Sequence, residues 1–130
     1  MLALTAQRTD ISRLLLEWNG ALQTGDPAKV VALYAKDAVL LPTLSKEIRQ
    51  SPAAIEDYFS HFLKLHPRAE VLQQTIRVYD PLATNSGIYK FVTNVDGQEM
   101  IVIARFTFVY RKDAEGWKIV EHHSSMLPDN

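Results

Sequence analysis

One arginine stands inside the apolar string Ile101-Val102-Ile103-Ala104-Arg105-Phe106-Thr107-Phe108-Val109-Tyr110. A permanent cation in such surroundings is costly unless an anion meets it. The anion is either the carboxylate or other charged group of a ligand, or an internal partner such as Glu99, Glu121 or Asp57. Side chains alternate along a strand, so Arg105 and Thr107 share one face while Phe106, Phe108 and Tyr110 share the other. The expectation is that Arg105, with Thr107 beside it, points into a ligand pocket. A little further on, His122 and His123 carry the side chain that titrates near neutral pH and binds zinc. Neighbours on a strand point oppositely, so the two cannot chelate one ion without a bulge, and no metal site or cofactor is expected. Either histidine could act with Ser124, Glu121 or Arg105 to activate water, or be a hydrogen-bonded structural group; His122 and His123 are the catalytic candidates. Ser124 and Ser125 lack the sharp turn that exposes a nucleophilic serine. His61 and His66 fall near the end of a helical pattern, where a cation suits the helix dipole and a surface position is expected.

The elements that must position these groups follow from periodicity. Ile11, Leu14, Leu15, Trp18 and Leu22 have helical spacing, with Thr9 and Asp10 as candidate caps. Gly25 stops that helix, and Asp26-Pro27 opens a second one through Val30, Val31, Leu33 and Tyr34. Ala38 to Leu41 is a short strand ended by Pro42, and Ser51-Pro52 starts a third helix with Ile55, Tyr58, Phe59, Phe62 and Leu63 on its apolar face. Beyond Pro67 the period becomes two over Val71 to Tyr79, Gly87 to Val95, Met100 to Arg111 and Trp117 to Ser125. Turn clusters at 94–97 and 113–116 make these strands an antiparallel meander. Helices first and strands last give an α+β fold with three helices packed on one face of a strongly curved antiparallel sheet. The aromatic residues Trp18, Tyr34, Tyr58, Phe59 and Phe62 have core spacing, and some of them also line a pocket in such an architecture. Arg49, ahead of the third helix, either gates that pocket or is exposed.

Bulk properties narrow the function classes. The chain has 130 residues, 47% hydrophobic and 22% charged, which suits one domain spanning residues 1–130. Fourteen basic and fifteen acidic residues give a formal net charge of -1 without long runs of either sign, so nucleic acid is not an expected partner. No apolar stretch approaches the roughly 20 residues that span a bilayer, and residues 1–10 lack the pattern of a signal peptide, so no membrane partner and a cytoplasmic location are expected. With no cysteine in the sequence, thiolate chemistry is excluded.

The string TGDPAKVVALYAKDAVLLP, residues 24–42, resembles the second-helix and first-strand signature of SnoaL-like and ketosteroid-isomerase-like proteins of the NTF2-like superfamily. ARFTFVYRKDAEGWKIVEHHSSMLP, residues 104–128, is similar to the association (hub) domain of calcium/calmodulin-dependent kinase II and its stand-alone bacterial relatives. The resemblance covers nearly the whole chain. It implies an NTF2-like cone, a homodimer formed across the open sheet faces that could join into larger rings, and a pocket between sheet and helices. The hub's pocket cations align with Lys90, Thr107 and Ser124, so only the first position keeps its charge. The general-base carboxylate and the tyrosine of ketosteroid isomerase align with Pro42 and Trp18, so that mechanism is not expected. Kinase chemistry is not implied, since the glycine loop, catalytic lysine and metal-binding acids of a kinase are missing. The resulting expectation is a self-associating domain with a small-molecule pocket for an acidic or aromatic ligand, lined by Arg105, Thr107, Lys90, Ser124, Trp18, Tyr34, Tyr58 and Arg49. The alternatives are a SnoaL-like isomerase, cyclase, hydrolase or dehydratase using a pocket histidine with Arg105, and a purely structural dimeric partner.

Overall fold

The computed structural model describes residues 2–129, with side chains described from Gln7 onward. Helix α1 runs from Leu2 to Gln23 and buries Ile11, Leu15, Trp18 and Leu22, a stripe with steps of four, three and four residues. It begins well before the expected caps Thr9 and Asp10, because the preceding residues are mostly leucine, alanine, glutamine and arginine, which favour helix strongly enough to carry it past both. Its end is closed by the amides of Thr24 and Gly25 bonding to the carbonyls of Ala21 and Leu22, with Gly25 at φ 74°.

Helix α2 spans only Pro27–Val31 and is capped by Asp26, whose carboxylate accepts from the Ala28 amide at 3.0 Å. Leu33 and Tyr34 do not extend it as expected. The Ile119 amide donates to the Leu33 carbonyl at 3.0 Å, and strand β1 starts at Tyr34 and runs to Leu41, so pairing with the last strand outcompetes another helical turn. Helix α3, Pro52–Phe62, follows the cap-then-proline signal, with Ser51 Oγ accepting from the Ala54 amide. A 3-10 turn at Leu63–Leu65 ends on His66 in the left-handed region, and Pro67 prevents continuation.

Strands β2 (Arg68–Tyr79), β3 (Leu82–Val95), β4 (Gln98–Asp113) and β5 (Gly116–Met126) form the expected meander. The sheet order is β1-β5-β4-β3-β2, with β1 parallel to β5 and the other pairs antiparallel. Register shifts between Val71 and Gln73, and on β5 opposite Val109 and Tyr110, are bulges that bend the sheet. At the first bulge Gly87 is required by space, since a Cβ there would lie 1.9 Å from the Gln73 carbonyl oxygen.

One sheet face is covered by the helices. It carries Ala83, Asn85, Tyr89 and Phe91 from β3, Ala104, Phe106, Phe108 and Tyr110 from β4, and Ile119, His122 and Ser124 from β5, all buried. These pack on Ile11, Leu15 and Trp18 of α1 and Ile55 and Phe59 of α3. The opposite, outer face carries Ser86, Ile88 and Lys90, then Ile103, Arg105 and Thr107, then Glu121 and His123. Among the described residues no helix is long and apolar enough to cross a membrane.

Candidate functional site

Neighbouring inner-face positions on the last two strands place Phe108 against His122 and Phe106 against Ser124. The imidazole of His122 therefore stacks on Phe108, with ring centres 3.9 Å apart, and meets the Trp18 indole edge-on at 5.3 Å. It is buried in this aromatic cage, and both nitrogens have partners. Nδ1 lies 2.8 Å from the Tyr34 hydroxyl and Nε2 lies 3.2 Å from the Tyr89 hydroxyl. Tyr34 in turn accepts from Trp18 Nε1 at 3.1 Å, and Tyr89 donates to Ser124 Oγ at 2.7 Å. Ser124 Oγ hydrogen-bonds Thr43 Oγ1, so a continuous polar thread crosses the core from α1 to the loop after β1.

Electrostatics follow from burial. Desolvation, helped by the neighbouring His123 charge, pushes His122 down to about 3, which leaves it neutral at physiological pH. Desolvation also raises the phenols of Tyr34 and Tyr89 far above their ordinary value, so both remain protonated donors.

Three cavities meet around this thread. A void of about 10 Å³ lies inside, lined by Trp18, Leu40, Tyr58, Phe62, His122 and Ser124 among others, too small to hold more than a single water. Outside it, a groove of about 390 Å³ lies between the 44–49 loop and α3, sharing Tyr58 and Phe62 with the void. A second outer cavity of about 260 Å³ lies between the same loop and the end of β5, sharing Thr43 and Ser124 with the void. The loop is pinned at its base by paired backbone bonds between Leu40 and Arg49, both 2.8 Å. Arg49 then reaches α3, donating from Nη1 to the Ala54 carbonyl at 3.1 Å and to Asp57 at 2.8 Å.

Of the site residues expected from sequence, the structure brings Trp18, Tyr34, His122 and Ser124 together, with Tyr58 at the wall of the void and Arg49 at its outer groove. It does not bring Arg105, Thr107 and Lys90 there. Arg105 and Thr107 are exposed on the outer face, because the alternation that puts Phe106, Phe108 and Tyr110 against the helices sends the intervening residues outward. Lys90 shares that face and pairs with Glu70 at 3.2 Å. The opposed directions expected for His122 and His123 are found, and His123 is the outward one. His61 is exposed, its Nδ1 2.8 Å from the Asp57 carbonyl. Among the described residues no group of three or more histidine, aspartate or glutamate side chains is placed to hold a metal ion. Tyr89 and Thr43 were not legible as site residues; for Tyr89 the signal was its place, two residues after Gly87, on the inward parity of β3.

The helices packed on one face of a curved five-stranded sheet define an α+β cone of the NTF2-like, cystatin-like type. Solved structures share it, including an NTF2-like superfamily protein from Salmonella enterica (TM-score 0.84, 17% identity, 97% of this chain and 94% of that chain). An NTF2-like protein with a cystatin-like fold from Novosphingobium aromaticivorans gives a TM-score of 0.83 at 17% identity, over 99% and 87% of the two chains. Residues 7–128 match the calcium/calmodulin dependent protein kinase II association domain, and the chain belongs to that family. Consistent with this, a crystal structure described as such an association domain from Xanthomonas campestris is 43% identical, with a TM-score of 0.90, over 93% of this chain and 88% of that one. A comparison with curated protein sequences gives no match.

Proposed function

We propose that the domain acts by self-association, with copies of the chain joining through the outer face of the sheet as a homodimer that can build into larger rings. The observation that carries this reading is the uncovered apolar strip on that face. Ile101 and Ile103 are 60% and 37% exposed, and Leu127, whose amide bonds to the Ile103 carbonyl, is 37% exposed. Among the described residues no helix covers them, while Arg105, Thr107, Glu121 and His123 supply polar groups alongside. Burying such a strip against a second copy is favourable by about 25 cal/mol for each Å² of apolar surface removed from water. The test is sedimentation velocity on the wild-type chain and on Ile103→Glu at tens of micromolar. The expected result is a dimer or larger species that becomes monomeric in the variant without loss of its circular dichroism spectrum. A wild-type monomer at that concentration would sink the reading.

A second reading, binding of a small molecule between the 43–48 loop and the end of β5, is favoured by the polar thread that ends at Thr43 beside the 260 Å³ cavity. Arg105 has no part in it, so an acidic ligand has lost the cation that motivated it. The enzymatic alternative through His122 loses support as well, because both imidazole nitrogens are occupied by tyrosines.

A further inference from the structure

We infer that the buried thread Trp18–Tyr34–His122–Tyr89–Ser124–Thr43 runs in one direction only, and that the Thr43 hydroxyl is therefore a fixed donor selecting a neutral carbonyl-bearing ligand at the 260 Å³ cavity. This rests on the ligand-binding reading above and deepens it.

The direction follows from counting protons. Indole N–H can only donate, so at the first link Tyr34 oxygen is the acceptor, at 3.1 Å. Tyr34 keeps one O–H, and the acceptor within reach is His122 Nδ1 at 2.8 Å, which must be unprotonated to receive it. A neutral imidazole then carries its proton on Nε2 and donates it to Tyr89 oxygen, 3.2 Å away. Tyr89 passes its own O–H to Ser124 at 2.7 Å, and Ser124 passes its O–H to Thr43. Each of the four inner members, Tyr34, His122, Tyr89 and Ser124, accepts once and donates once.

The opposite direction would start at Thr43 and end with Nδ1–H donating to a Tyr34 oxygen that already accepts from Trp18. The Tyr34 proton would then have no acceptor in the core, at a cost of about 1–3 kcal/mol. In the favoured direction the leftover proton sits on Thr43, which is half-buried and lines both the inner void and the outer cavity. There a ligand oxygen can accept it.

The chemistry of the ligand follows from the surroundings. The thread carries no net charge while His122 is neutral, and the ionisable groups that line the cavity, Lys46, Glu47 and His123, are all exposed to water. Nothing buried there compensates a carboxylate, whose desolvation is costly. An ammonium group, which only donates, leaves the Thr43 proton without an acceptor. A ketone, ester or amide oxygen fits both conditions.

Long-range proton–nitrogen correlation on ¹⁵N-labelled protein at pH 7 reads the tautomer, and the expected result is His122 protonated on Nε2 with Nδ1 bare. A proton on Nδ1 overturns the direction. Acetophenone, benzoate and benzylammonium, of similar size and differing in head group, are then titrated while the amides of Thr43, Ser124 and Ser125 are followed. Acetophenone is expected to shift them in the wild type and in Thr43→Ser, and to bind at least tenfold more weakly to Thr43→Val. Equal binding by Thr43→Val overturns the role of Thr43, and shifts of equal size with benzoate or benzylammonium overturn the selectivity. No shift with acetophenone in the wild type, whatever the tautomer, overturns the ligand-binding reading itself.

Discussion

The Tyr34 hydroxyl lies 2.8 Å from Nδ1 of His122, across the parallel pair formed by β1 and β5. That contact ties β1, which runs parallel to β5, to the meander, and it holds the imidazole in the aromatic cage away from bulk solvent. A neutral His122 is thus a condition of the fold.

Acid stability tests this directly. The folded value of His122, about 3, lies below its ordinary 6.5, so between those values the unfolded chain binds a proton that the folded chain refuses. Stability from this group is complete above pH 6.5 and falls as pH drops toward 3. At 1.36 kcal/mol per pH unit the loss is about 3 kcal/mol by pH 4.5. Urea unfolding at pH 7.5 and 4.5 should show that loss in the wild type and most of it absent in His122→Gln, although the variant starts less stable. A wild type equally stable at both values would mean that His122 is protonated without unfolding.

Tyrosine-to-phenylalanine substitutions separate threaded hydroxyls from idle ones. Tyr34→Phe strands the Trp18 N–H and His122 Nδ1 together, at a cost of about 2–4 kcal/mol. Tyr110 is as deeply buried, yet its hydroxyl has no hydrogen-bond partner among the described residues. Tyr110→Phe should therefore fall within about 0.5 kcal/mol of wild type, or be more stable. Equal losses in the two variants, read by chemical denaturation, would contradict the thread.

The contrast between Arg105 and Tyr89 shows where the sequence was legible. Strand parity correctly grouped Arg105 with Thr107 and opposed them to Phe106, but parity does not say which set faces the helices. The burial of three aromatic rings outweighs the placement of one arginine, and an arginine on an outer face needs no anion at all. Helix α3 and the turns at 94–97 and 113–116 were readable because capping and turn residues act locally. The thread was not, because it joins Tyr34 to His122 across 88 positions and depends on a bulge in β5 that no local signal announces.

Two glycines should respond oppositely to alanine. Gly87→Ala puts a Cβ 1.9 Å from the Gln73 carbonyl oxygen, and the obstacle is backbone, so the β2 bulge must move. A loss of at least about 3 kcal/mol, or failure to fold, is expected. Gly20 lies within α1 with nothing inside 4 Å of a new Cβ, and Gly20→Ala should add about 0.5–1 kcal/mol. Thermal melts of both variants decide this, and a stable Gly87→Ala would mean the bulge is not held as described.

The loop that carries Thr43 is restrained by Arg49, and loosening that restraint should expose the end of the thread. Arg49→Met removes the bonds to the Ala54 carbonyl and Asp57 while keeping much of the side chain's packing. Amide exchange over residues 43–48 should quicken at least tenfold, while exchange in α1 and β4 stays unchanged. The Arg49 guanidinium holds the Asp57 carboxyl below its usual value, so the ion pair is present above about pH 3.8 and weakens only as pH falls through that lowered value. Acid effects near pH 5 therefore come from His122 rather than from this pair. Loop exchange that quickens between pH 7 and 5 as much in His122→Gln as in the wild type, after correction for the intrinsic rate, would reverse that assignment.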